Sequence, residues 1–273
     1  MRRCTHSIGL LIISTLCCLV YVEQWVFLRY RYDVPIHPLS SIIREINSIF
    51  GTMGFTFADG PELESEHYNF DALNVPRDHP ARDAQDTLWV KQDEELLMRT
   101  HTSPVQVRYM EQHKPPIRVI VPGKVYRNEA TDMTHEAQFY QLEGLMVGED
   151  VTLGHMKWVL ARFFEAFFKG SVEIRLRPGF FPFTEPSVEV DMRLGGMHVP
   201  EKLRGKWIEI FGSGMVHPNV LTASGVDPKK YQGWAFGGGV ERLGMLKYGI
   251  DDVRLFHTGD LRVISQFRAH HER

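Results

Sequence analysis

The sequence predicts an α+β domain on a largely antiparallel sheet, and three observations lead there. Strand-like segments follow one another between residues 89 and 216, most clearly at 117–127, 139–147, 172–194 and 206–216. Two stretches, 38–53 and 151–170, carry apolar residues at helical spacing. The polar connection TDMTHEAQ between KVYRNEA and FYQLEGLMV is short enough to fold those strands into a hairpin. Strands in series with helices gathered between them indicate an α+β layer.

Each element has its own warrant. In HPLSSIIREINSIFGTMGF, Leu39, Ile42, Ile43, Ile46, Ile49, Phe50 and Met53 recur at i, i+3, i+4 and i+7, and Gly51 and Gly54 end the helix. FTFADGPELES reads as a short strand broken by Gly60-Pro61. Residues 66–86 are polar and proline-interrupted, which predicts a long loop of functional interest. LWVK to LLMR predicts a strand, THTSP a turn, and the residues after Pro104 a helix with Thr102 or Ser103 at its N-cap. IRVIVPGKVY predicts two strands around Pro122-Gly123, and residues 139–147 one more. VTLGHMKWVLARFFEAFFKG predicts an amphipathic helix, and FGGGVERLG a glycine-rich turn opening a last one. There is no internal repeat or low-complexity segment.

The chain has 273 residues, 43% hydrophobic and 24% charged, with a formal net charge of −3. Residues 1–34 hold Arg2, Arg3, Arg29 and Arg31 against Glu23 and Asp33, which leaves −5 for the rest. A polyanion bound by the body therefore needs a local basic patch or a partner's surface. The cysteines, Cys4, Cys17 and Cys18, all fall in the first 18 residues, so the body can build neither a disulfide framework nor a thiolate zinc site. Residues 8–22 are apolar, but shorter than the roughly 20 residues that span a bilayer comfortably. Three readings stand for the segment 1–34: a start placed too far upstream or a remnant, a membrane anchor, and a docking helix. Residues 35–268 form the expected main domain and 269–273 a polar tail.

The strand at 139–147 poses the chemical question. Phe139, Gln141, Glu143, Leu145 and Val147 share one face, half polar and half aliphatic. Val125, Arg127 and Glu129 on the preceding strand would lie beside them. A surface ion-pair ladder explains the charges but not Phe139. An arginine, an aromatic plane and a carboxylate–amide pair suit a nucleotide together with a bound amine. FGGGVERLG fits a phosphate loop or tight packing, and Arg242 in the first helical turn could meet a phosphate. A dinucleotide fold is disfavoured, because no βαβ unit precedes these glycines. Phe181 and Phe183 flank Pro182 and make either core or the walls of an aromatic slot. His101 alone reads as structural, and AHHER as a solvated end.

In this order the motifs YNFDALNVPRDHPARDAQDT, RTHTSPVQVRYM, PPIRVIVPGKVYRNEATDMTHEAQFYQLEGL, LRPGFFPFTEPS, GSGMVHPNVL and GVERLGMLKYGIDDVRLF closely resemble one family. It is the alpha subunits of bacterial phenylalanine–tRNA ligase, class II aminoacyl-tRNA synthetases, and the resemblance runs from about His37 to Phe267. The helix at 38–53 with Gly60-Pro61 matches motif 1, VYRNE with FYQLEG motif 2, and GGGVERL motif 3. The resemblance implies a class II synthetase catalytic domain, an antiparallel sheet flanked by helices. It implies that Arg127 grips the ATP α-phosphate, Phe139 stacks on adenine, Glu129 and His135 lie around the nucleotide, and Arg242 takes the γ-phosphate. It further implies that His101, Ser103, Gln141 and Glu143 hold the amino-acid head group. Phe181 and Phe183 would sandwich the phenylalanine ring, Ala235 would close the pocket's end, and Glu209 would be a magnesium carboxylate.

The implied reaction is ATP-dependent activation of L-phenylalanine and its transfer to tRNA(Phe). The implied setting is cytoplasmic, with a beta subunit in an α2β2 heterotetramer. The alternative is a synthetase-like paralogue that binds nucleotide, amino acid or RNA without charging. Two departures stand out: an apolar segment replaces the family's long helical arm, and Gly238 replaces a usually bulky residue, which should loosen the nucleotide loop.

Overall fold

A computed structural model describes residues 36–83, 86–195 and 204–267. The readings of residues 1–34 and of the tail 269–273 lie outside these described residues. The described chain falls into two compact units, one from Ile42 to Thr258 and one comprising the described residues before and after it. In the smaller unit, the helix Leu261–Ile264 is capped by Asp260, whose carboxylate accepts from Arg262 N at 2.8 Å. Among the described residues no helix is long and apolar enough to cross a membrane.

The larger unit is organised by a seven-stranded sheet. Its strands are β1 (Thr56–Phe57), β5 (Ile117–Tyr126), β6 (Gln138–Gly148), β7 (Ser171–Phe181), β8 (Thr184–Gly195), β9 (Trp207–Val216) and β10 (Gln232–Gly239), in the spatial order β1-β5-β6-β10-β9-β8-β7. Only β1 pairs parallel, with β5; every other neighbour is antiparallel. A small second sheet orders β2 (Leu63–Ser65), β4 (Leu96–Met98) and β3 (Trp89–Lys91). The α+β expectation holds, and so does the hairpin, now β5–β6 with Val125 opposite Phe139 and Val121 opposite Glu143.

Several local expectations are corrected. IRVIVPGKVY is one strand, not two. Ile120 O accepts from Ala58 N at 3.0 Å on the β1 side, and Pro122, two residues on, faces that side beyond the end of β1. A proline there removes no ladder bond. β5 stops at Tyr126, so Arg127 and Glu129 sit past its end rather than on its face. The loop at 66–86 contains a helical turn, α2 (Glu66–Asn69), and two 3-10 turns, Asp71–Leu73 and Pro80–Arg82. The single strand expected from LWVK to LLMR is a pair, β3 and β4. Gly237, Gly238 and Gly239 are strand, not turn: they end β10.

Period-two alternation sorts the sheet's two faces. One face meets α1 (Pro38–Thr52) and α4 (Leu153–Phe168). Phe50 of α1 lies 4.8 Å from Phe163 of α4 and 5.8 Å from Phe236 of β10, and Phe164 lies 5.4 Å from Phe211 of β9. Phe236 also stacks on Phe211 at 5.1 Å. A Cβ on Gly144 would lie 2.3 Å from the Phe236 ring, so β6 is bare there to admit it. Helix α4 begins with a reciprocal cap: Thr152 Oγ1 accepts from His155 N and His155 Nδ1 from Thr152 N, both at 3.3 Å. On the other face, Val105, Val107 and Met110 of α3 (Ser103–Gln112) cover Ile117, Val119, Val121, Leu145 and Val147. This second core stops partway along the strands. Beyond it the sheet is open.

Candidate active site

The open part of that face is a cleft of about 630 Å³. β6 supplies Phe139, Gln141, Glu143 and Leu145 to it, so the half-polar face of this strand does look into a cavity. Arg127 and Glu129 enter from the loop after β5, His101 and Ser103 from the start of α3, and Phe181 and Phe183 from the β7–β8 turn. Ala235 and the bare strand Gly237–Gly239 come from β10, and Glu209 from β9. Eleven of the thirteen expected site residues therefore converge. His135 and Arg242 are not among the lining residues. His135 is exposed in the hairpin loop with Nδ1 3.0 Å from Asp132 Oδ2. After the short helix α5 (Pro218–Ala223), Arg242 is exposed in the first turn of α6 (Val240–Tyr248), and its Nε donates to Glu209 O at 3.1 Å.

Glu143 is the most constrained of these groups. Its Oε2 accepts from Ser103 Oγ at 2.6 Å and its Oε1 from Thr102 N at 3.0 Å, the latter an amide at the start of α3 that has no partner within the helix. Thr102 is the N-cap residue, yet its hydroxyl donates to Val121 O at 3.1 Å instead of capping, and Ser103 is spent on Glu143. Burial pushes the Glu143 carboxyl up to about 7, against the pull of these donors and of Arg127. Next to it, burial and the charge of Arg127 hold His101 down at about 3, so this imidazole is neutral at physiological pH.

Arg127 is aimed by two contacts: its Nε donates to Thr100 O at 3.1 Å, and its guanidinium lies over the Phe139 ring at 5.1 Å. Desolvation lowers its pKa, while Glu129 and Glu143 favour the cation. Phe181 and Phe183 are parallel within 11° with centroids 5.9 Å apart. A ring inserted between two others needs about 7 Å at ordinary carbon contact distances, so this pair does not make a sandwich. It makes a single aromatic wall on one side of the cleft. Gly212 backs that wall, since a Cβ there would meet Phe181 Cζ at 2.7 Å. Gly238 is likewise packed, not loose: its Cβ would fall 2.2 Å from Phe211.

Several cleft residues escaped the sequence reading. Buried Gln106 follows Ser103 by three, hence on the same helix face, and its Nε2 has no partner. Gln141 Oε1 and His101 Nδ1 are also polar atoms in this lining without a protein partner, and they are open to a polar ligand. Glu189 of β8 lines the cleft beside Glu209, and Arg177 Nη2 contacts both carboxylates at 2.8 Å. Arg175 and Arg177 also hold Asp191. Two guanidinium groups against three carboxylates leave one negative charge in surplus, and hard oxygen donors suit magnesium. Among the described residues no three or more histidine, cysteine or acidic side chains are grouped so as to hold a metal ion by themselves.

An antiparallel sheet with such a cleft on one face is the architecture of a class II synthetase core. Residues 24–267 match the family described as tRNA synthetases class II core domain (F). The chain is 54% identical over 237 residues to the phenylalanine–tRNA ligase alpha subunit of Bacillus subtilis, covering 85% of this chain and 68% of that one. It is 53% identical over 241 residues to that of Caldanaerobacter subterraneus subsp. tengcongensis, covering 87% and 70%. This chain belongs to the phenylalanine–tRNA ligase alpha-subunit family. A crystal structure of pyrrolysyl-tRNA synthetase from Desulfitobacterium hafniense superposes with a TM-score of 0.65 over 98% of this chain and 91% of that one; at 15% identity the likeness is one of fold.

Proposed function

We propose that this chain activates L-phenylalanine with ATP and passes it to tRNA(Phe). One observation carries the substrate: the buried carboxylate of Glu143 stands beside an apolar compartment made by Leu145, Val216, Ala235 and the Phe181–Phe183 wall. An ammonium fits the first and a phenyl ring the second. Gln141, Ser103 and His101 sit around the same head-group position. Arg127, Phe139 and Glu129 then suit the nucleotide. Arg242 reaches the triphosphate by releasing its single carbonyl contact, and His135 closes from the loop.

No side-chain nucleophile is required. The substrate carboxylate attacks the α-phosphorus in line, pyrophosphate leaves, and the adenylate remains bound. Arg127 neutralises charge that grows on the phosphoryl oxygens, and fixed orientation in the cleft does the rest. Glu209 and Glu189 would hold magnesium, whose contribution is further neutralisation of the triphosphate.

A beta subunit belongs to this reading, in an α2β2 assembly. An apolar slot rejects one added hydroxyl by only about 10², so tyrosine must be removed at a separate site. The proposed location is cytoplasmic. The test purifies the chain with and without that subunit and measures phenylalanine-dependent pyrophosphate exchange and tRNA charging. Exchange and charging by the complex are expected; complete charging by the chain alone overturns the partnership, and no exchange by the complex favours a non-charging paralogue.

The pKa of Glu143 gives a second check. Below about 7 the free site holds a neutral carboxyl, and above it a carboxylate that can pair with an ammonium. The KM for phenylalanine is therefore expected to fall about tenfold as pH rises from about 6 to 8, and to stay flat in Glu143→Gln. His101 does not confuse the profile, being neutral across that range. A KM profile shared by the variant would assign the titration elsewhere.

A further inference from the structure

β10 pairs with β6 as far as Gly239 opposite Gln141, and the chain then leaves the sheet to begin α6 at Val240. The next amide of β6, Tyr140 N, lies beyond the end of that neighbour and has no strand carbonyl to meet. A main-chain donor left so costs as much as a lost hydrogen bond. Glu241, 3% exposed, fills the gap: Oε1 and Oε2 accept from Tyr140 N at 2.8 and 3.0 Å. A second tie lies close by. His257 Nε2 stands 3.5 Å from Glu241 Oε1, just after the 3-10 turn Val253–Phe256. At the head of that turn, Val253 N donates to Met133 O of the hairpin loop at 2.9 Å.

Phe139 immediately precedes Tyr140, and Arg242 immediately follows Glu241. We propose that Glu241 is a positioning residue: its carboxylate replaces the carbonyl a longer β10 would supply, and so fixes Phe139 and Arg242 relative to each other around the nucleotide. This role rests on the ATP reading of the cleft. It separates from general structural support because the wall for the amino-acid ring, Phe181 and Phe183, is carried by the β7–β8 turn and not by the opening of β6. Gln141, on the other side of Tyr140, keeps its own ladder pairing with Gly239, so damage at Glu241 falls mainly on the nucleotide.

The test is pyrophosphate exchange by the full chain purified with its beta subunit, as parent, Glu241→Gln and Glu241→Ala. Glutamine keeps one acceptor oxygen for Tyr140 N; alanine keeps none. The KM for ATP is expected to rise about threefold in the first and about tenfold in the second, with the KM for phenylalanine within about twofold of the parent in both. Should Glu241→Ala not fold, Glu241→Gln decides alone, with its melting temperature recorded beside its kinetics. An unchanged KM for ATP in a folded variant, or an equal rise for both substrates, overturns the positioning role. A parent complex with no phenylalanine-dependent exchange overturns the ATP reading itself and this role with it.

Discussion

Arg127→Ala is expected to lower phenylalanine-dependent pyrophosphate exchange by about 10³-fold while leaving the melting temperature nearly unchanged. Among the described residues the guanidinium is tied to the fold through one carbonyl, Thr100 O, and one ring face, Phe139. Neither contact holds two elements of the core together. Its unused N–H groups face a cleft where charge grows on phosphoryl oxygens, and there a fixed cation lowers the barrier. Arg127→Lys should recover little, because an ammonium cannot reproduce a planar fork. Near-normal exchange in the alanine variant would end the phosphate role assigned to this residue.

The largest stability effect is expected on the opposite face of the sheet. Phe236→Ala should cost about 3–5 kcal/mol in denaturant unfolding, as a buried aromatic packed among Phe50, Phe211 and Trp234 leaves a cavity that helices cannot easily collapse. Gly144→Ala should cost about 1–3 kcal/mol in the parent, because its methyl would stand 2.3 Å from the Phe236 ring. With Phe236 already removed, the same methyl should cost less or even stabilise, since it enters the vacated space. Equal penalties in the two backgrounds would mean that the ring and the glycine do not meet.

The fold was legible where periodicity was long. The helix at 38–53 and the strand at 139–147 appear within a residue or two of their expected ends, because one face of each is buried and the pattern repeats several times. Short elements were not legible. β3 and β4 have three residues each, too few for any period, and the 3-10 turns of 66–86 are held by long-range contacts such as Arg82 with Glu66 and Asp71. The glycines of β10 read as a turn because propensity disfavours them in strands; crowding by Glu143 and by Phe211 requires Gly237 and Gly238 there. Cleft residues announced by type, such as Arg127 and Glu143, were found. Glu241 was not, since its partner is a backbone amide 101 residues away and nothing in the local sequence records it.

The strand β6 carries both the polar wall of the cleft and part of the aromatic packing beneath it, on alternate residues of one eleven-residue segment. Its chemistry is thus encoded in parity. Deleting one residue from its middle would send the carboxylate and amide of one half into a phenylalanine-filled interior and turn Leu142 or Tyr140 toward the cavity. The hairpin loop between Arg127 and Ala137 is under no such rule, being largely exposed and paired mostly with itself. Changes in chain length should therefore be tolerated in the loop and forbidden in the strand, although the two are contiguous. A scan of single-residue insertions through 127–148 would read that boundary as an abrupt loss of soluble protein, falling where the alternation begins.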